Sequence, residues 1–260
     1  MIIRKRLEGV SRQVLVRGLS GFLPYFVVNE FPKSGGTWLS QMLATALDLP
    51  YPRNRMPILK PAIMQGHYCN PTGLKNVVVL WRDPRDVFVS WYHHCLYGNE
   101  FSAPAFKARC RNELQFEDVS DVRQNLPRFI EFCYESPISP RFTWSQFVDT
   151  WESRPGVVQT RYETLLKGTS DELVRICAAF NRELSPEKAR RIEEEFSFAN
   201  QAKRTAGSEV KSSHLRKGIA GDWINHFSRQ AATTLWKYAG PQMLALGYES
   251  NSGWVEAIPA

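Results

Sequence analysis

Phe31-Pro-Lys-Ser-Gly-Gly-Thr-Trp38 joins an apolar run, Tyr25 to Asn29, to a stretch of helical spacing from Thr37 to Leu47. A strand, a glycine turn and a helix in that order make a cradle for an anion. Gly35 and Gly36 let the backbone curl so that successive N–H groups converge, while Lys33, Ser34 and Thr37 add a cation and two hydroxyls. A helix beginning at Thr37 brings its positive N-terminal end to the same place. In the nucleoside-triphosphatase loop the lysine follows the glycines, as Gly-Lys-Ser or Gly-Lys-Thr. Here it precedes them, so the usual ATP or GTP signature is absent.

Outward from the turn, the pattern repeats. Pro50, Pro52 and Pro57 break the first helix and read as a connector. Val77 to Leu80 is a short continuous apolar run, as a strand covered on both faces requires, and Val87 to Leu96 resumes a helical period. Val157 to Arg161 reads as a third strand. Glu172 to Phe180 and Pro186 to Phe196 read as helices, the second opened by Ser185 as N-cap with proline behind it. Alternation of this kind predicts an α/β fold on a parallel sheet. Between Tyr97 and Phe142 the periodicity is weak, which predicts an irregular or partly helical cover. Phe227 to Leu246 reads as a closing helix interrupted near Gly240-Pro241. The expected organisation is a basic N-terminal segment (1–24), a single domain (25–250) and a short tail (251–260).

The 260 residues carry a net charge of +7, which favours an anionic partner. Five cysteines, an odd number without paired spacing, suit a reducing compartment, with the cytoplasm as the default, and no Cys/His cluster has zinc-finger spacing. No stretch is long and apolar enough to span a bilayer. Near the N-terminus Arg4, Lys5, Arg6, Arg12 and Arg17 interleave with Leu7, Val10, Val14 and Leu15. This predicts an amphipathic helix that docks on its own domain or a frayed basic end, with weak contact to a membrane surface as the alternative.

Two further segments carry chemistry. Trp81-Arg-Asp-Pro-Arg-Asp86 follows an apolar strand and precedes a helix containing Ser90, the position at which open α/β sheets bind ligands; Arg82 and Ser90 are candidates to converge on one phosphate. Asp83, Arg85 and Asp86 read instead as groups lacing the turn, with Asp86 helping to cap the helix. Leu215-Arg-Lys-Gly-Ile-Ala-Gly-Asp-Trp223 joins a basic pair to two glycines and can wrap an anion.

Together, Pro32 to Trp38, Arg82 to Ser90, Tyr162-Glu163 and the Arg216-Lys217-Gly218 segment resemble the cytosolic sulfotransferase family, over roughly Phe31 to Phe227. That family carries Pro-Lys-Ser-Gly-Thr-Thr-Trp, Arg-Asn-Pro-Lys-Asp with a later serine, Tyr-Glu-Asp, and Arg-Lys-Gly-x-x-Gly-Asp-Trp, the last of which is matched in full. The resemblance implies a P-loop-like three-layer fold with a central parallel sheet flanked by helices. It also implies 3′-phosphoadenosine 5′-phosphosulfate (PAPS) as co-substrate, its bisphosphate PAP as product, and no metal. Lys33, Ser34, Gly35, Gly36 and Thr37 would hold the phosphosulfate end, and Arg82, Ser90, Arg216, Lys217 and Gly218 the 3′-phosphate. Trp38, Tyr162 and Phe198 would contact adenine, by stacking where aromatic faces meet the base.

The implied reaction is in-line sulfuryl transfer to a hydroxyl or amine of a small-molecule or carbohydrate acceptor. Lys33 would stabilise the leaving phosphate, His67 would act as general base, and Ser90 would steer the lysine. His67 stands in Gln65-Gly66-His67, where the family has Lys-Thr-His; His93 and His94 are its rivals. Gly36 replaces a family threonine, and Phe196 stands where threonine is common. No C-terminal dimer motif is evident, so the oligomeric state stays open. Two readings compete: a nucleotide- or nucleic-acid-binding module without turnover, and a small-molecule kinase. Nucleic acid is not the expected partner.

Overall fold

The computed structural model describes residues 2–18, 22–53, 59–98 and 104–259, leaving aside the side chains of 2–9. In chain order its elements are α1 (Ile2–Gly18), β1 (Tyr25–Glu30), α2 (Gly36–Ala46), β2 (Ala62–Gly66), β3 (Val77–Trp81) and α3 (Pro84–Tyr92). A π-helical turn (His93–Tyr97) leads on to α4 (Pro104–Leu114), α5 (Val122–Glu135), α6 (Trp144–Trp151), β4 (Val158–Arg161), α7 (Tyr162–Lys167) and α8 (Thr169–Ala179). There follow α9 (Pro186–Glu195), α10 (Phe198–Ala202), a 3₁₀ turn (Asp222–Asn225), α11 (Arg229–Ala245) and α12 (Gly253–Glu256). They gather into two compact units, Met1–Trp81 with Arg154–Gln201, and Arg82–Ser153 with Ala202–Ala260.

The first unit is built on a four-stranded parallel sheet in the order β2-β1-β3-β4. Every residue of β1 and β3 is buried, as expected of apolar strands with both faces covered. One face presents Phe26, Val28, Ile63, Val78 and Leu80 to Leu39, Met42 and Leu43 of α2, Leu173 and Ile176 of α8, and Ile192 of α9. Each such side chain stabilises the fold by about 1.5–3 kcal/mol when fully buried. In the sequence, β2 falls within the stretch expected to be a connector. Five residues behind Pro61 are too short a run to announce a strand, and pairing with β1 supplies what local propensity does not. Helix α1 belongs to this unit: Val16 is fully buried, Arg12 donates to the Arg53 carbonyl at 2.8 Å, and Arg17 donates to the carbonyls of Asn70, at 2.8 Å, and Thr72.

In the second unit α11 packs on α5 and α6, and α3 packs on α5. Beyond α5, α6 opens with a reciprocal Thr143–Gln146 capping box. One expectation holds here and one needs correction. The 97–142 span is partly helical where described, as expected, through α4 and α5, the latter with Asp121 as N-cap. Its helical period was hard to see because α4 buries only Cys110 and Leu114. Helix α11, expected to break at Gly240-Pro241, runs through both residues. Proline removes one hydrogen bond near the helix end, and burial of Leu235, Ala239, Gly240 and Met243 outweighs that loss. All five cysteines are free thiols, and no helix among the described residues is long and apolar enough to cross a membrane.

Candidate active site

In the first unit β1 delivers the chain into the glycine turn. Lys33 adopts a left-handed backbone, φ 74°, and Gly35 follows at φ 102° as N-cap of α2. A lysine in that region is strained, which marks the turn as shaped for a purpose other than stability. Ser34 is buried, and its N–H donates to the Phe31 carbonyl at 3.2 Å. A Cβ on Gly35 would lie 2.8 Å from the Tyr162 ring, so close approach as well as φ demands glycine there. Trp38 meets Tyr162 edge to face at 5.8 Å and donates its indole N–H to the Phe196 carbonyl at 2.8 Å. The turn, Trp38 and Tyr162 thus form one cluster. Phe198 is half-buried at the start of α10, and Phe196, fully in the core, is the residue whose carbonyl receives the Trp38 bond.

A buried polar network lies under this turn. Glu30, the last residue of β1, is 2% exposed. Its carboxylate accepts from the Gly36 N–H at 2.5 Å and from the Gln65 amide at 2.7 Å. The Gln65 carbonyl oxygen accepts in turn from the Thr37 hydroxyl at 3.2 Å and from the Tyr51 hydroxyl. Burial pushes the Tyr51 phenol up to about 12, with Glu30 adding to the effect against the opposing influence of Arg53. Asn29 clamps the segment after β2: its amide donates to the Tyr68 carbonyl at 3.0 Å, and its oxygen accepts from the Tyr68 N–H at 2.8 Å. That clamp sets the residue before it. His67 Nδ1 lies 2.9 Å from the Glu30 carbonyl oxygen, which can only accept. Nδ1 therefore carries the proton, and Nε2 is the basic nitrogen.

The second unit assembles a separate basic cluster. Asp83, not Asp86, caps α3, accepting from the Arg85 N–H at 2.9 Å with Pro84 behind it. Asp86 instead accepts from the N–H groups of Gly221 and Trp223 at 2.7 and 2.9 Å, fastening the 215–223 loop to α3. Arg85 pairs with Asp83 and Glu249 and lies over the rings of Trp223 and Trp254, at 4.1 and 4.8 Å, a structural role as expected. Arg82 reaches the Ile219 carbonyl at 3.4 Å, and Ser90 is half-buried on the same helix.

Arg216, 9% exposed, pairs with Asp222 at 2.7 Å and with Glu209, and Lys217 donates to Asp222 at 2.5 Å. Burial pushes the Asp222 carboxyl up, yet hydrogen bonds from His226, Lys217, Arg216 and Asn225 prevail and hold it far below the usual carboxylate range. His93 is pushed down to about 3, by burial first and then by the Arg216 charge, so it stands neutral at physiological pH.

The sulfotransferase domain family matches residues 72–247. The chain belongs to the sulfotransferase family. Relatives include the guinea-pig (Cavia porcellus) 3-alpha-hydroxysteroid sulfotransferase, 24% identical with 76% of each chain covered, and human sulfotransferase 1E1, 25% identical with 78% of each covered. The rabbit (Oryctolagus cuniculus) amine sulfotransferase is 23% identical over 78% of this chain and 75% of that one. Among solved structures, mouse sulfotransferase SULT7A1 complexed with PAP shares the fold with a TM-score of 0.65 at 18% identity, covering 97% of this chain and 96% of its own. This is therefore an enzyme with the P-loop-like α/β architecture expected from its motifs.

Several residues packed around these candidate groups are not among those expected from the sequence. Glu30 and Asn29 ended an apolar run and were passed over, although an acid closing a fully buried strand is itself a signal. Tyr51 lay in the proline-rich connector. Glu209 carried no motif and is recognisable only through its pairing with Arg216.

Proposed function

We propose that this sulfotransferase uses PAPS as donor and passes its sulfuryl group to a hydroxyl or amine of a small-molecule or carbohydrate acceptor. The observation that carries the reading is the glycine turn, where a lysine held at positive φ stands beside two hydroxyls and the first helical N–H groups of α2. These are groups suited to an anionic phosphosulfate. In the first unit we assign Lys33, Ser34, Gly35, Gly36 and Thr37 to that end of the donor, and Trp38, Tyr162 and Phe198 to its base. In the second unit, Arg82, Ser90, Arg216, Lys217 and Gly218 supply cations and donors for a phosphate.

Bound PAPS supplies a sulfur joined to phosphate through one bridging oxygen. In the proposed step His67 Nε2 accepts the acceptor's proton as the acceptor oxygen or nitrogen forms its bond to sulfur. The bond from sulfur to the bridging oxygen breaks, and its electron pair stays on the phosphate. Lys33 offsets the charge that grows there; a preorganised cation of this kind is worth on the order of 10²- to 10³-fold in rate. His67 suits the base role because its Nδ1–H is already committed to the Glu30 carbonyl. A reducing compartment such as the cytoplasm fits five free thiols.

The test is a labelled-PAPS screen over phenol, alcohol, amine and carbohydrate acceptors, run beside thermal shifts with PAP and with ATP plus magnesium. Transfer to at least one acceptor and a larger shift with PAP are expected. A larger shift with ATP would favour a kinase. Stabilisation by PAP with no acceptor labelled would favour a binding module.

A further inference from the structure

The chain carries an anion of its own at the place where the donor's anion is assigned. The Glu30 carboxylate takes the Gly36 N–H, the first of α2, at 2.5 Å, and is held from the other side by Gln65 at 2.7 Å. The fit is built in. A Cβ on Gly36 would lie 2.3 Å from the Glu30 carboxyl carbon, so this contact exists only because glycine stands where the family has threonine. Gln65, standing where the family has lysine, leaves the carboxylate without a cation at that contact and supplies an amide donor instead. Two substitutions, Gly36 and Gln65, thus interlock around the Glu30 carboxylate.

We propose that Glu30 is the residue that sets donor affinity in this enzyme: its carboxylate competes with the phosphosulfate end for the N-terminus of α2 and repels it. The inference rests on the donor assignment above. Two anions beside one helix end at low solvent exposure repel strongly, whereas a neutral side chain leaves the helix end open to the ligand. Glu30 therefore stabilises the free enzyme at the expense of its complex. The acid holds α2 in place between turnovers and weakens retention of the bisphosphate product.

The experiment measures PAP affinity by calorimetry in the full-length protein, with melting temperature recorded for each variant without ligand. Glu30→Gln is expected to bind PAP roughly 10-fold tighter or more while melting at a lower temperature. Opposite signs in the two readouts distinguish affinity setting from a purely structural role, which would lower both. Glu30→Ala/Gly36→Thr, in which the threonine fills the space the carboxylate leaves, serves if the single variant does not fold, and carries the same expectation for affinity. Equal or weaker PAP binding in a variant that melts cooperatively overturns the inference while leaving the donor assignment standing. Failure of the wild type and both variants to bind PAP overturns the donor assignment and the inference with it.

Discussion

At the end of β1 the chain enters α2 through Gly35 in a left-handed conformation, and its N-cap residue offers no side chain to the helix. At the end of β3 it enters α3 through Asp83, whose carboxylate seals the first turn, with Pro84 removing one more donor. At the first junction the Gly36 N–H and the Thr37 hydroxyl engage Glu30 and Gln65, contacts with which a bound donor would compete; at the second, Asp83 and Pro84 account for first-turn donors within the chain. An anion recognised beside α3 must therefore be met by side chains, and Arg82, Arg216 and Lys217 are the ones present. The proposed labour divides accordingly: Lys33 and His67 are expected to act on rate, and the basic cluster, like Glu30 at the turn, on affinity.

The largest expected effect tests the first half of that division. Lys33→Ala should reduce turnover at saturating donor by about 10³-fold, because the cation is proposed to act where charge develops, and single-turnover rates with labelled PAPS check it. PAP affinity should change much less. If affinity and rate fell by equal factors, Lys33 would be an ordinary binding residue and the division would fail. His67→Ala comes next, with a loss of roughly 10²- to 10⁴-fold in kcat and near-normal donor binding. Retention of wild-type turnover would move the base elsewhere. His93 is a poor substitute, since burial and the Arg216 charge hold its pKa down to about 3 and leave it too weak a base.

Arg216→Ala addresses the second half. Losing a charge-assisted contact should weaken PAP binding by about 1.5–3 kcal/mol, with kcat at saturating donor little changed. Asp222 would keep Lys217, His226 and Asn225, so the variant should still fold. Titration calorimetry with PAP reads the effect directly, and unchanged affinity would remove Arg216 from the site.

What could be read from the chain followed the same contrast. The glycine turn, strands β1 and β3 and the parallel sheet were legible because each is a local pattern: an apolar run, a pair of glycines, a helical period. Strand β2 was not, since only its pairing with β1 makes Ala62–Gly66 a strand. Lys33 and Arg216 could be named from motif order, but the acids near the turn and the basic cluster could not. Glu30 meets Gly36 and Gln65 through the fold, and Glu209 meets Arg216 across a loop with no pattern of its own. Asp86 was assigned a capping role because it sits in the first turn of α3, where acids commonly cap; the loop 215–223 claims it instead.

The smallest predicted effect probes the basic cluster without ligand. His93 is 3% exposed, and neither ring nitrogen has a hydrogen-bond partner among the described residues. Around it stand Arg216, Lys211 and His226, with the Glu209 carboxylate 3.9 Å away and Asp222 beyond. Burial and the neighbouring cations hold its pKa down to about 3, whereas in the unfolded chain it titrates near 6.5. Between those two values the unfolded state binds a proton that the folded state refuses, so stability falls as pH drops. The slope approaches about 1.4 kcal/mol per pH unit once the unfolded histidine is mostly charged. Asp222, whose folded pKa is depressed, works in a lower window: its contribution is complete above the ordinary carboxylate range and is lost only below it. In urea melts from pH 6.5 to 4.5 a His93→Phe variant should thus show a flatter pH dependence than the wild type, the difference reporting His93 because the upward-shifted Asp86 carboxyl is common to both. An unchanged slope would mean that the cluster admits a proton on His93, and that Glu209 rather than Arg216 dominates its surroundings.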